Sequence, residues 1–383
     1  MPALAVSEIR IPADLLPADG RFGCGPSKVR PSALAALAAT GTSYMGTSHR
    51  QAPVRSMVGR LRAGMVSLFS LPDGYEVVLG NGGASLFWDL AAACLVERRS
   101  QHLVFGEFSS KFAAAVAGAP FLDAPEVISA PVGSHPAAVA RDDIDLYALT
   151  HNETSTGVAM PVGRAEGAAP GSLVAVDATS GAGGLRVDIS SVDAYYFSLQ
   201  KGFASDGGLW VALLSPAAVD RAERVAGGPG TGRWVPASLD LRIAIGSSRK
   251  DETWNTPSLA TLFLAVDQVE WLLGQGGLEW AASRCERSAE VLYGWADSSS
   301  YASPFVAKPA ERSPVVATID LDPSVDGGAV CAVLRANGIV DTDPYRKLGR
   351  NQLRVAMFPA IDPADVESLT KCVDWVVSAV SSA

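Results

Sequence analysis

Residues 173–202 read LVAVDATSGAGGLRVDISSVDAYYFSLQKG, and this stretch decides the fold. Two apolar runs in it, at 173–176 and 194–198, have the length and composition of buried β-strands. The first run leads directly into Asp177, and the second is soon followed by Lys201. The two charged residues are 24 positions apart, which is one crossover connection. We therefore expect both at the carboxyl edge of one sheet, where open α/β folds bind their ligands.

The same alternation of short apolar runs and helical patterns extends over residues 31–215. Seven strands are predicted there, at 76–79, 102–105, 126–129, 145–150, 173–176, 194–198 and 209–214. Helical patterns at 85–96 and 109–117 lie between strands, and the Ala-rich stretch at 33–39 is also typical of a helix. Strands interleaved with helices indicate an α/β fold with a mainly parallel sheet covered on both faces.

Beyond residue 256 the pattern changes. Two long helices are predicted at 257–273 and 278–295, separated by the helix-stop sequence Gly274-Gln275-Gly276-Gly277. A strand, a helix, a strand and a helix follow, at 315–320, 328–336, 352–357 and 363–380. This order is typical of a small α+β domain. The predicted division is an N-terminal arm (1–30), a large domain (31–265) and a small C-terminal domain (266–383).

Composition excludes several classes of protein. With 383 residues, 48% hydrophobic and 19% charged, the chain has enough apolar side chains for two folded domains. A net charge of −9 without a basic run excludes a nucleic-acid footprint. The helical pattern at 259–273 contains Asp267 and Glu270, and the N-terminus has no leader pattern, so we expect no membrane span. Five cysteines without a CxxC pair, and four scattered histidines, indicate a reduced, cytoplasmic protein without a metal site.

Lys201 and Asp177 have a chemistry that suits a carbonyl cofactor. A lysine at the end of an apolar strand is desolvated, which lowers its pKa and makes its amine a nucleophile. The carboxylate of Asp177, on the neighbouring strand, could keep the ring nitrogen protonated if that cofactor contains a pyridine ring. Each residue also has an ordinary alternative. A lysine can extend past the strand end to solvent, and an aspartate can cap a helix or a turn.

Two loops add possible ligand contacts. Leu79-Gly80-Asn81-Gly82-Gly83-Ala84-Ser85 lies between a strand and a helix, where glycines and free N–H groups can receive a phosphate. It half-matches the dinucleotide motif, with Ser85 where Gly or Ala is usual. Thr150-His151-Asn152-Glu153-Thr154-Ser155-Thr156-Gly157 is a polar loop after another strand. Plain turns and caps use the same residue types.

The order of these elements resembles the phosphoserine aminotransferase family over nearly the whole chain. The matching stretches are Phe22-Gly23-Cys24-Gly25-Pro26, Ser48-His49-Arg50, His151-Asn152-Glu153-Thr154, Val176-Asp177-Ala178-Thr179-Ser180, Gln200-Lys201, Trp254-Asn255-Thr256-Pro257 and Leu353-Arg354-Val355-Ala356-Met357. The resemblance implies the type I fold of enzymes that use pyridoxal 5'-phosphate (PLP). That fold has a large domain with a mainly parallel seven-stranded sheet and a small C-terminal α+β domain.

Residue roles follow from the resemblance. Lys201 resembles the lysine that binds PLP as a Schiff base, Asp177 the partner of its ring nitrogen, Phe108 the residue stacked on the ring, and Thr154 the partner of the ring hydroxyl. The phosphate of PLP would be held by Ala84, Ser85 and Gln200, and by Asn255 and Thr256 of a partner subunit in a homodimer. His49, Arg50 and Arg346 would hold the substrate phosphate, and Arg354 its carboxylate.

Three positions depart from the family pattern. Phe108 stands where Trp is frequent, Cys24 where Ser is common, and Tyr345 where some members have His. The spacing between Arg346 and Arg354 is also unusual. These differences indicate a divergent branch of the family.

The implied reaction transfers the amino group of L-glutamate to 3-phosphohydroxypyruvate, which gives 2-oxoglutarate and O-phospho-L-serine for serine biosynthesis. Another class-V aminotransferase, of the serine or alanine–glyoxylate type, and a cysteine desulfurase remain alternatives. They usually lack paired basic residues for a substrate phosphate, and no cysteine lies in an evident catalytic loop. A non-catalytic dinucleotide-binding or regulatory module is the alternative outside enzymes, and the defective glycine motif counts against it.

Overall fold

A computed structural model describes residues 9–227 and 233–381 of the chain. The helices of this part are α1 (Pro31–Ala39), α2 (Ala52–Leu68), α3 (Ala84–Cys94), α4 (Glu107–Ala117), α5 (Pro216–Gly227), α6 (Leu241–Ser248), α7 (Leu259–Gln275), α8 (Gly277–Ser298), α9 (Gly327–Ala336) and α10 (Pro363–Ser381). Its strands are β1 (Glu76–Asn81), β2 (Ser100–Val104), β3 (Glu126–Ser129), β4 (Leu146–Thr150), β5 (Asn152–Glu153), β6 (Val158–Ala159), β7 (Leu173–Asp177), β8 (Ala194–Ser198), β9 (Leu209–Leu214), β10 (Ala302–Pro304), β11 (Val316–Leu321) and β12 (Gln352–Ala356).

A seven-stranded sheet forms the centre of the molecule, in the order β1-β9-β8-β7-β4-β2-β3. The five strands from β8 to β3 are parallel, and β9 runs antiparallel to both of its neighbours. All seven strands predicted from the sequence are in this sheet, so the predicted α/β architecture is confirmed. The two-stranded pair β5–β6 is separate from it.

The central strands are apolar up to their last residue because helices cover both faces of the sheet. β4, β7, β8 and β9 are buried along their whole length. Alternate side chains of β8 enter different clusters: Tyr195 and Phe197 pack with α2 and α7, while Ala194 and Tyr196 pack with α3, α5 and α6. This double burial fixes the register of each strand end, and therefore the position of the residues that follow it.

The C-terminal part has its own sheet and hydrophobic cluster. β10, β11 and β12 form an antiparallel sheet, and the cluster around it includes α8, α9 and α10. Residues at the start of the described chain belong to the same cluster. Phe22 N donates to Val340 O at 3.2 Å, and Phe22 O accepts from Ala356 N at 3.0 Å. The first residues are therefore held by the last third of the chain.

Three helices lie in stretches for which no element was predicted, namely α2, α5 and α6. In α2 the helical pattern of apolar residues is interrupted by Gly59 and Gly64. A Cβ at Gly64 would lie 2.6 Å from Val269 Cγ1 of α7, so the glycine permits close packing of the two helices. The predicted stop between α7 and α8 is confirmed, with Gly276 at a φ of 125°. Among the described residues, none of the helices combines the length and the apolar character that crossing a membrane requires.

Candidate active site

A cavity of about 270 Å³ opens at the carboxyl edge of the central sheet. It is lined by Cys24, Gly25, Gly83, Ala84, Ser85, Trp88, Phe108, Thr150, Asn152, Thr154, Asp177, Thr179, Ser180, Ser198, Gln200, Lys201, Tyr345 and Arg354. The volume is close to the lower end of the range of small-molecule sites, about 300–1,000 Å³. β7 and β8 are adjacent and parallel, so the residues that follow them reach the same cavity, as the sequence predicted.

Lys201 is the buried amine of this cavity. Its residue is 6% exposed, and its Nζ donates to Thr154 Oγ1 at 2.8 Å. The Nζ also lies 5.1 Å from the centre of the Phe108 ring. Burial lowers the pKa of Lys201 to about 8, against the opposing attraction of Asp177. The neutral, nucleophilic form of the amine is therefore much more populated near neutral pH than in a lysine of ordinary pKa.

Asp177 is the buried carboxylate of the cavity. Its Oδ1 accepts from the backbone N of Thr179 at 3.0 Å, and its Oδ2 accepts from Trp88 Nε1 at 2.8 Å. The backbone on both sides is also fixed, because His151 N donates to Asp177 O at 2.9 Å and Ala178 N donates to Tyr196 O at 2.8 Å. The carboxylate is thus held by two donors that come from two different elements of the fold.

The loop before α3 forms another part of the cavity wall. Gly82 has a φ of 103°, a conformation that favours glycine, and its N donates to Gly208 O. Gly83, the N-cap residue of α3, has no side chain that could cap the helix. The N of Ala84 donates to Ser198 Oγ at 2.6 Å. The N-terminus of α3 therefore lies at the edge of the cavity, where the helix dipole favours an anion.

The Asn-Glu-Thr loop places two predicted residues beside Lys201. Ser180 Oγ accepts from Thr154 Oγ1 and from Asn152 Nδ2, at 2.8 and 2.9 Å. The fully buried Glu153 carboxylate accepts from the backbone N of Phe108 and Ser109 at the start of α4. Glu153 therefore fixes the helix turn that carries the Phe108 ring.

The C-terminal part contributes Arg354 and Tyr345 to the cavity. Arg354 is on β12, and its guanidinium lies 5.3 Å from the centre of the Tyr345 ring. Tyr345 in turn lies 6.2 Å from Phe108, measured between ring centres. A cation from the C-terminal sheet and an aromatic ring from the segment before β12 thus line the cavity together with Lys201.

Gly25 and Cys24 bring the N-terminal arm to Lys201. Gly25 has a φ of 142°, and a Cβ there would lie 2.7 Å from Lys201 Cε. Any larger residue at position 25 would therefore displace the lysine. Cys24 lines the cavity too, but burial raises the pKa of its thiol. A thiol of this kind is a poor nucleophile, which counts against a desulfurase.

Five of the predicted site residues are not among those that line the cavity. His49, Arg50, Asn255 and Thr256 form a surface cluster, which we call the His49–Thr256 patch. His49 Nδ1 and Thr256 Oγ1 share a hydrogen bond of 3.0 Å, and Arg50 Nη1 donates to Glu252 Oε2 at 3.0 Å. Arg346 is exposed in the segment before β12. The structure thus brings together Ala84, Ser85, Phe108, Thr154, Asp177, Gln200, Lys201 and Arg354, but not these five.

Several cavity residues had no role in the sequence prediction. Trp88, Ser180 and Ser198 hold Asp177, the Asn-Glu-Thr loop and the start of α3. Trp88 is one helical turn after Ala84, so the i, i+4 spacing on the predicted helix could have suggested it. Ser180 and Ser198 lie within quoted motifs, but nothing in the sequence gives the direction of their hydroxyls.

Four cavity residues carry a buried polar atom that has no hydrogen-bond partner among the described residues. These atoms are Asn152 Oδ1, Thr179 Oγ1, Gln200 Oε1 and Arg354 Nε. Buried polar atoms are nearly always paired in folded proteins, so these four indicate a polar ligand. In the described residues, no cluster of histidine, cysteine and carboxylate side chains could hold a metal ion.

Comparisons with known proteins agree with this geometry. The family described as aminotransferase class-V matches residues 134–342. The chain is 61% identical to a putative phosphoserine aminotransferase of Mycobacterium avium over 370 residues, covering 97% of this chain and 98% of the relative. It is 60% identical to a phosphoserine aminotransferase of a Nocardioides species over 370 residues, which covers 96% and 98% of the two chains.

Solved structures share the fold at lower sequence identity. A phosphoserine aminotransferase from Cytophaga hutchinsonii superposes with a TM-score of 0.82 at 24% identity, covering 93% of this chain and 99% of that one. One from Bacillus circulans subsp. alkalophilus gives a TM-score of 0.81 at 21% identity, with coverages of 94% and 98%. Because relatives of about 60% identity align over almost their full length, the chain belongs to the phosphoserine aminotransferase family of class-V aminotransferases.

Proposed function

We propose that this protein is a phosphoserine aminotransferase that uses PLP to transfer the amino group of L-glutamate to 3-phosphohydroxypyruvate. The products are 2-oxoglutarate and O-phospho-L-serine, so its place is in serine biosynthesis. The observation that carries the proposal is the buried Lys201 amine beside the buried Asp177 carboxylate in one cavity. The names of the 60%-identical relatives support the substrate assignment.

The residues of the cavity fit PLP by their chemistry. An amine of lowered pKa suits the aldehyde of the cofactor, and a buried carboxylate suits its ring nitrogen. The N-terminus of α3, at Ala84 and Ser85, and the side chain of Gln200, whose amide nitrogen can donate to a phosphate, lie at the same cavity. We assign the ring hydroxyl to Thr154 and the stacked position to Phe108. Bound PLP supplies an electron sink and stores the amino group between the two half-reactions.

The protein supplies orientation and proton transfer. Lys201 Nζ is the proposed base that removes the proton from the substrate α-carbon and later returns one. Arg354 is the proposed partner of the substrate carboxylate, because it is the arginine that lines the cavity in the described part of the chain. A planar guanidinium can bind a carboxylate with two parallel hydrogen bonds.

The remaining predicted residues suit a second copy of the chain. His49 and Arg50 are adjacent to Asn255 and Thr256 in the His49–Thr256 patch. If a homodimer brings Asn255 and Thr256 to the partner's PLP phosphate, it must bring His49 and Arg50 to the same cavity. Trp254, beside them in sequence, is 47% exposed, which supports a contact surface there. Arg346, from the same chain as Lys201, would complete the substrate phosphate site.

We also propose the domain division of an arm at 1–30, a large domain at 31–265 and a small domain at 266–383. Separate hydrophobic clusters around the central sheet and around β10–β12 support it. On this division Lys201 and Arg354 belong to different domains, so the cavity lies between them. The five cysteines are all buried free thiols, which supports a reducing compartment such as the cytoplasm.

The test is a set of single-turnover reactions of the purified, PLP-loaded protein with phosphoserine, serine and alanine. We expect phosphoserine to convert the cofactor much faster than the two unphosphorylated amino acids. The change is followed by cofactor absorbance, and L-glutamate serves as the positive control for the other half-reaction. Equal rates for serine and phosphoserine would contradict the substrate assignment, and a protein that binds no PLP would contradict the whole proposal.

A further inference from the structure

We propose that Trp88 is a positioning residue for Asp177, and that its indole N–H sets the orientation in which the carboxylate meets the ring nitrogen of the cofactor. The inference rests on the proposed PLP site. Its geometric basis is the hydrogen bond of 2.8 Å from Trp88 Nε1 to Asp177 Oδ2. Both residues are buried, and both line the cavity.

The two oxygens of Asp177 are held differently. Oδ1 accepts from the backbone of Thr179, only two residues along the same chain segment. That bond alone leaves rotation of the carboxylate possible, because a single donor fixes only one oxygen. Trp88 belongs to α3 and holds the second oxygen. The carboxylate plane is therefore set by the relative position of a strand end and a helix.

The indole itself has little freedom. Trp88 stacks on Phe112 of α4 with the ring planes at 19° and the ring centres 6.3 Å apart. Its helix begins at Ala84, whose N–H is at the proposed phosphate end of the site. One rigid helix thus reaches both ends of the cofactor, its phosphate through the first turn and its ring nitrogen through Trp88 and Asp177.

Trp210 provides a matched control for this bond. It is as buried as Trp88 and belongs to the same hydrophobic cluster. Its Nε1 has no hydrogen-bond partner among the described residues. Trp210→Phe therefore removes the same atoms from the same cluster as Trp88→Phe without removing a hydrogen bond.

The experiment compares Trp88→Phe, Trp210→Phe and wild type, each loaded with PLP labelled with ¹⁵N in the ring. We expect the ¹⁵N chemical shift of the ring nitrogen to move in Trp88→Phe alone. We also expect both half-reactions of Trp88→Phe to slow by about 10- to 100-fold, the cost of losing a hydrogen bond to a charged group. Trp88→His, which keeps a ring N–H, should recover part of the rate and part of the shift.

A double-mutant cycle separates positioning from packing. If Trp88 acts through Asp177, Trp88→Phe added to Asp177→Asn should slow the reaction little beyond Asp177→Asn alone. Full additivity of the two rate losses would overturn the inference, as would a ¹⁵N shift in Trp88→Phe equal to that in Trp210→Phe. If wild-type protein takes up no labelled PLP, the proposed function fails as well; if it does, these outcomes concern Trp88 alone.

Discussion

The predicted site residues fall into two sets, a buried set around Lys201 and the exposed His49–Thr256 patch. The two sets differ in how many of their contacts a single chain supplies. Lys201, Asp177 and Thr154 are buried and joined to their surroundings by short hydrogen bonds. Arg50, in the His49–Thr256 patch, has a side chain 61% exposed that pairs with Glu252. The first set follows strands that the core fixes, whereas the second lies in surface loops. On the proposed assignment, one chain supplies Lys201, Asp177 and Thr154 to the cofactor half of the site, and a second chain supplies His49 and Arg50 to the substrate-phosphate half.

The strongest test of the cofactor half is Lys201→Ala. We expect transamination to fall by a factor on the order of 10⁴ or more, because both the covalent anchor and the proton-transfer group are lost. Circular dichroism and thermal unfolding should show that the fold persists. Substantial turnover of this variant with glutamate would remove Lys201 from the mechanism.

Asp177→Asn tests the same half with a smaller change of shape. The amide cannot keep the ring nitrogen protonated, so we expect kcat to fall by about 10³, with a much smaller effect on PLP affinity. Single-turnover absorbance measures the first quantity, and equilibrium dialysis the second. If the proton-transfer step proceeds near the wild-type rate, the carboxylate has another role.

Arg50→Ala and Arg346→Ala test the substrate-phosphate half. Loss of a charge-assisted contact to phosphate should cost about 2–4 kcal/mol, or roughly 30- to 1,000-fold in kcat/KM with phosphoserine. Reaction with unphosphorylated serine should fall much less. Arg354→Ala is the comparison, because every amino-acid substrate has a carboxylate and both reactions should suffer. Equal losses with serine and phosphoserine in the Arg50 and Arg346 variants would argue for a structural role.

Mixed dimers decide whether the two halves come from different chains. We expect co-expressed Lys201→Ala and Arg50→Ala chains to give about a quarter of wild-type activity, because half of the dimers are mixed and each has one native site. Separate preparations of the two variants, mixed without subunit exchange, are the control. If Arg50 acts within its own chain, mixed dimers will contain no native site and activity will not recover.

The pH dependence of cofactor capture gives the smallest expected effect. Burial lowers the pKa of Lys201 to about 8, and only the neutral amine reacts with the aldehyde. The capture rate of cofactor-free protein should therefore rise with pH up to about 8 and then level. A lysine with the ordinary pKa of about 10.4 would continue to gain rate beyond pH 9. Stopped-flow absorbance measures the rate, and pyridoxine 5'-phosphate, which has no aldehyde, is the control for binding alone.

Sequence reasoning succeeded where burial on both faces restricts the chain. The seven strands of the central sheet, and with them the position of Asp177 and Lys201, were predictable from apolar runs and their spacing. Helix α2 was not predicted because Gly64 interrupts its helical pattern of apolar residues. The glycine permits close packing against Val269. Sequence reasoning could not find the bond from Trp88 to Asp177, because an indole in an apolar helix looks like core.

The position of the residues in the His49–Thr256 patch could not be predicted from the sequence alone either. His49 and Lys201 were both expected near the substrate, and motif order does not say which chain supplies each. Only the contact between His49 and Thr256 shows that the two motifs share one surface. Tyr345 is a similar case. The sequence shows that it departs from the family pattern, but only the structure shows that its ring contacts both Phe108 and Arg354.

The contact between Gly25 and Lys201 has a consequence for synthesis of the protein. The segment that carries Gly25 is held in place through Phe22, whose backbone partners are Val340 and Ala356. A ribosome makes Gly25 and Lys201 long before it makes these partners. A nascent chain that ends before residue 340 therefore lacks both partners of Phe22, and the bond from Ser27 N to Gln200 O, at 2.8 Å, is a contact that remains for this segment. Tyr345 and Arg354, which also line the cavity, are made later still, so the lining of the cofactor pocket is complete only when the beginning of the chain meets its end.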